Sequence, residues 1–86
     1  MVEAEATGEF QKDIKKLTAK DRERLDEIIR RLSASERLGK QLHHLKEAYS
    51  IRIENKRLVY QILGKEAKVR LLFFKSREDV YEYLGH

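Results

Sequence analysis

The hydrophobic period of this chain changes once, from a helical repeat to a strand repeat, and that change sets the class of fold open to it. Phe10, Ile14 and Leu17 recur at i, i+4 and i+7, one stripe of a short amphipathic helix, with Gln11, Lys12, Asp13, Lys15 and Lys16 on its other faces. Thr18-Ala19-Lys20-Asp21 resembles a capping box, and Leu25, Ile28, Ile29 and Leu32 carry the stripe through a second helix, roughly 19–33. Ser33-Ala34-Ser35 and Gly39 end it. A polar loop anchored by Leu38, Leu42 and Leu45 follows, and it contains His43 and His44.

From Tyr49 the period is two. Tyr49, Ile51 and Ile53 share one face of a strand, with Ser50, Arg52 and Glu54 on the other. A turn at Asn55-Lys56, a strand from Arg57 to Leu63, a turn at Gly64-Lys65-Glu66 and a strand from Ala67 to Phe74 complete a three-stranded antiparallel meander. Leu71-Leu72-Phe73-Phe74 is apolar on both faces, as a covered central strand is. Val2 to Ala6 has the weak alternation of a short edge strand with Thr7 as a helix cap, and Arg77 to Leu84 suits a short helical turn. Helices followed by a meander predict an α+β fold: two N-terminal helices on one face of a small antiparallel sheet, the other face open.

At 86 residues the chain makes one domain, over 1–86, with a small core and no room for an enclosed active-site cavity. It has no cysteine, which excludes disulfides and thiol catalysis, and its N-terminus lacks the basic-then-apolar order of a signal peptide. No apolar run reaches the ~20 residues of a membrane span. A cytoplasmic location without membrane contact is the expectation.

Charge is unevenly spread. Residues 1–39 carry nine basic and nine acidic side chains, residues 40–77 ten basic and three acidic, and residues 78–86 three acidic and no Lys or Arg. The positive field therefore belongs to the strands, and its natural partner is a polyanion. Adjacent His43-His44 lacks metal-ligand spacing and no Gly-rich phosphate loop or GxSxG elbow is present, so neither a metal nor a cofactor is expected. Arg52, Arg57, Lys68, Arg70, Lys75 and Arg77 on or beside the sheet, with tyrosines nearby, suit RNA. Tyr49 and Tyr60 fit the core period and are expected to pack rather than stack on bases.

Leu45-Lys46 leading to Tyr49-Ser50-Ile51-Arg52-Ile53, then Lys56-Arg57-Leu58-Val59-Tyr60-Gln61, then Phe74-Lys75-Ser76-Arg77-Glu78-Asp79-Val80-Tyr81, with the helical pair over 10–33, resemble the RelE/ParE toxin superfamily of prokaryotic type II toxin–antitoxin systems. The resemblance covers nearly the whole chain. It implies the RelE fold and, in the RelE branch, a metal-free endoribonuclease that cuts mRNA in the ribosomal A site by attack of a ribose 2′-oxygen on the adjacent phosphate. By position, Arg52 and Arg57 grip the phosphate, Lys75 takes the place of a basic leaving-group residue, and Tyr81 orients or stacks the substrate. Ser50 stands where RelE has a second lysine, although other branches place serine there.

An arginine, with a pKa above ~12, is a poor base. That role falls to His43 or His44, in a loop where some branches supply a glutamate. The implied partners are a cognate antitoxin, the ribosome and mRNA, with DNA reached only through an antitoxin complex. The ParE branch uses the same fold against DNA gyrase without this catalytic set, so Arg57, Lys75 and Tyr81 together favour the RNase. A third reading is a catalytically weak RelE-fold interaction module.

Overall fold

A computed structural model of the chain describes residues 3–34, 37–42 and 45–83. In order along the chain these form strand β1 (Glu3–Ala6), helices α1 (Gly8–Asp13) and α2 (Ala19–Ser33), strands β2 (Lys40–Gln41), β3 (Ala48–Ile53), β4 (Lys56–Leu63) and β5 (Lys68–Ser76), and helix α3 (Arg77–Tyr83). The predicted meander is β3–β4–β5, and two further strands widen it to a five-stranded sheet of order β1-β5-β4-β3-β2. β1 pairs with β5 in parallel, and every other pair is antiparallel. β1 is the edge strand expected over Val2 to Ala6, whereas β2 has only two residues, too few to show a period.

Helices α1 and α2 each start where the sequence places a threonine. Thr18 Oγ1 accepts the Asp21 N–H, and Thr7 Oγ1 accepts the Phe10 N–H, each at 3.2 Å, a cap worth about 1 kcal/mol. The Thr7 hydroxyl also donates to the Leu72 carbonyl at 2.7 Å, which ties the β1–α1 junction to β5. The first helix is shorter than its stripe predicts: it ends at Asp13, and Ile14 and Leu17 follow in turns, still packed on the core.

Phe10, Leu25 and Leu32 from the helices meet Ile51, Ile53, Leu58, Tyr60, Val69, Leu71 and Phe74 from the sheet in the main core. β5 lies between β1 and β4, as its doubly apolar run requires. Val59 pairs with Phe73 and Tyr60 with Leu71, so a bulge leaves Leu72 unpaired, and Leu72 and Phe73 both join a second cluster with Val59. Val80 of α3 completes that cluster. The sheet face expected to be open is therefore partly covered by the C-terminal helix.

The β3–β4 connection is one residue earlier than predicted. Ile53 pairs with Lys56, and the left-handed residue is Glu54 at φ 56°. The Tyr60 hydroxyl donates to the Leu38 carbonyl at 2.7 Å and accepts the Leu38 N–H at 3.0 Å, while its ring stacks on Tyr49 with centroids 5.5 Å apart. Both tyrosines pack, as their period predicts. Burial raises the Tyr60 pKa more than the Leu38 backbone bond lowers it, so the phenol stays protonated. No helix of the described residues is long and apolar enough to cross a membrane.

Candidate functional site

Strand register brings the predicted cations together. Arg52 pairs with Arg57 across β3–β4, and Arg57 pairs with Lys75 across β4–β5, so one row crosses three adjacent strands. Directly opposed residues share a sheet face, and Ile51, Ile53, Leu58 and Phe74, their strand neighbours, point into the main core on the helix side. The row thus starts on the face away from α2, beside the Val59–Phe73–Val80 cluster.

The three cations differ in their surroundings. Arg52 is exposed, and its Nε donates to the Glu54 carbonyl at 3.4 Å, a long bond that leaves the guanidinium available to an anion. Arg57 is half-buried and forms no ion pair with another described residue. Two guanidiniums opposed across a two-residue hairpin repel each other. That arrangement favours an anion able to bridge them.

Lys75 is different. Its ammonium lies 2.7 Å from Glu9 Oε2 and 2.9 Å from Asp13 Oδ1, and its side chain is 16% exposed. α1 reaches it because β1 stops pairing at Leu71, which leaves the rest of the β5 edge to the helix, and Asp13 Oδ2 accepts the Phe74 N–H there at 3.0 Å. Burial pulls the Lys75 pKa down, but the hydrogen bonds and charges of Glu9 and Asp13 outweigh it, and the net shift is upward. The Glu9 carboxyl is held below its ordinary value of 4.5, chiefly by its hydrogen bond to Lys75. Lys75 is thus a firmly protonated cation with two anions on it.

Reading the sequence did not single out Glu9 or Asp13. Their i, i+4 spacing on α1 was the available signal, but nothing local shows that the helix abuts β5. Elsewhere in the basic segment, Arg70 pairs with Glu5 at 3.0 Å. Ser50, on the same strand face as Arg52, is 7% exposed with its hydroxyl unbonded, so position 50 offers solvent little. The backbone of Tyr81 lies in α3, but its side chain falls outside the described residues, as do His43 and His44 entirely. An open hollow lined by Arg37, Lys46, Gln61, Leu63 and Lys65 lies at the opposite end of β4 from Arg57 and has no part in the row.

The family model for the ParE toxin of type II toxin–antitoxin systems, parDE, matches residues 5–81. The chain belongs to this toxin family. Solved structures share the fold of the toxin. A chain of the intact E. coli RelBE toxin–antitoxin complex superposes with a TM-score of 0.80 at 22% identity, covering 88% of this toxin and 96% of that chain. A chain of the RelB–RelE complex from Methanococcus jannaschii gives 0.75 at 23% identity, covering 92% and 96%. A chain of the RelBE2 complex from Mycobacterium tuberculosis gives 0.73 at 25% identity, covering 88% and 98%. No curated protein sequence matches the toxin.

Proposed function

We propose that this toxin is a ribosome-dependent endoribonuclease that cuts mRNA without a metal. The observation that carries the reading is the cross-strand pair Arg52–Arg57, two cations held in register on one strand face with no acidic partner on Arg57 among the described residues. Such a pair can grip the scissile phosphate and stabilise the extra charge it gains in a pentacoordinate transition state. In the reaction, a bond forms between a ribose 2′-oxygen and the adjacent phosphorus while the 2′-proton passes to a base. The bond from phosphorus to the 5′-oxygen breaks and that oxygen takes up a proton, leaving a 2′,3′-cyclic phosphate and a 5′-hydroxyl. His43 or His44 is the proposed base, Lys75 the proposed proton source, and Tyr81 the proposed substrate-orienting residue. The raised Lys75 pKa makes it a weak acid as it stands.

A cognate antitoxin is the proposed protein partner. Support comes from the solved relatives, whose structures are complexes of RelE with RelB. A surface with ten basic and three acidic residues over 40–77 suits an antitoxin with acidic residues facing the sheet.

One observation favours a second reading: the family model that matches is that of ParE. On that reading the row contacts DNA gyrase rather than RNA. Primer extension on a translated message decides between them. New stops within codons only when ribosomes are present support the RNase, whereas intact mRNA with blocked gyrase supercoiling refutes it.

A further inference from the structure

Register puts Lys75 in the cationic row, yet its ammonium is engaged by two carboxylates from a helix distant in sequence. Around Nζ two carboxylates stand at 2.7 and 2.9 Å, so the charge of the ammonium is already met from within the chain. The two carboxylates are not equivalent. Asp13 is 12% exposed and also accepts the Phe74 N–H, which fixes it to the sheet edge. Glu9 is 30% exposed, and among the described residues its carboxylate hydrogen-bonds to Lys75 and to no backbone group. One contact is structural and the other can be exchanged for an incoming anion.

We infer that Glu9 shields Lys75, occupying the ammonium as an internal stand-in for phosphate, so that anion binding at the row falls to Arg52 and Arg57 until Glu9 is displaced. The inference rests on the proposed phosphate-binding role of the row and adds a residue that limits its affinity. A phosphate approaching Lys75 meets the Glu9 charge first, and the favourable contact forms only when the carboxylate swings to solvent. Asp13 keeps the ammonium in place throughout. Glu9 is thus a positioning and specificity-limiting residue that touches the Lys75 ammonium rather than the substrate.

The test uses the full chain and a fluorescent single-stranded 2′-deoxy oligonucleotide, which presents the same phosphates without an attacking 2′-oxygen. Glu9→Gln is expected to bind roughly two- to fivefold more tightly at low salt, the range of one partly exposed charge. The slope of log K against log salt should steepen by about 0.7, one more single-strand phosphate contact. Glu66→Gln makes the same change in net charge on the exposed turn after β4 and should alter neither quantity appreciably. If both variants tighten binding equally, the effect is general charge and the shield is refuted. If Glu9→Gln matches the parent chain while Arg57→Ala weakens binding, the shield alone falls. If the parent chain and Glu9→Gln both fail to bind, the phosphate reading of the row falls and the shield with it.

Discussion

Asp13 and Phe74 stand 61 residues apart in sequence and are joined by a 3.0 Å hydrogen bond from the Phe74 N–H to the Asp13 carboxylate. The bond closes the β5 edge just past the point where β1 stops pairing, and the second oxygen of the same carboxylate takes the Lys75 ammonium. One side chain therefore finishes the sheet and holds a member of the cationic row.

Asp13→Ala strips that edge of its acceptor and leaves Lys75 with Glu9 alone. Losing a buried hydrogen bond and a partly buried charge partner is expected to cost about 2–4 kcal/mol. A urea midpoint that falls with an unchanged m-value would confirm the size and the cause. A loss below ~0.5 kcal/mol would show that the edge needs no cap.

The Glu9–Lys75 contact makes stability depend on pH in a defined direction. The folded-state pKa of Glu9 is depressed, so its contribution is present above the ordinary value of 4.5 and is lost as pH falls through the lower folded value. The folded-state pKa of Lys75 is raised, so its contribution is present below 10.5 and is lost as pH rises through the higher folded value. Denaturation midpoints of the parent chain and Glu9→Gln should differ most between these limits and converge in acid. A gap that widened on acidification would contradict the ion pair.

Tyr60→Phe deletes the hydroxyl that both donates to and accepts from Leu38. About 1–2 kcal/mol is expected, because two backbone groups lose their partner while the ring keeps its packing. Hydrogen exchange at the Leu38 amide should accelerate before exchange in β4 does. The same segment explains Gly39: at φ 85° any added Cβ lies 2.2 Å from the Ser50 carbonyl oxygen, so Gly39→Ala should detach β2 from β3.

Arg57→Ala should slow single-turnover cleavage by about 10²-fold or more, by analogy with loss of one oxyanion donor, while ribosome affinity changes little. Lys68→Ala, at the far end of β5, should weaken binding slightly at low salt and spare the cleavage rate. Equal effects of the two on rate would mean that the sheet is a diffuse polyanion surface and that Arg57 has no special role.

The sequence by itself determined the helical stripe through Leu25 and Leu32, the meander from Tyr49 to Phe74, the central place of β5 and the packing role of Tyr60, because each is written in a local period. It did not determine how Arg52, Arg57 and Lys75 would gather: a turn at Asn55-Lys56 would set Arg52 opposite Val59, and the observed turn together with the bulge between Val59 and Tyr60 brings the three into one row. Only the tertiary structure decided that β1 would add in parallel to β5, that Val80 would cover part of the second face, and that Glu9 and Asp13 would claim Lys75. The first and last of those outcomes depend on where chain segments more than sixty residues apart come to lie, as the spacing of Asp13 and Phe74 shows. Side-chain pattern records which face of an element is buried, but not which distant element buries it.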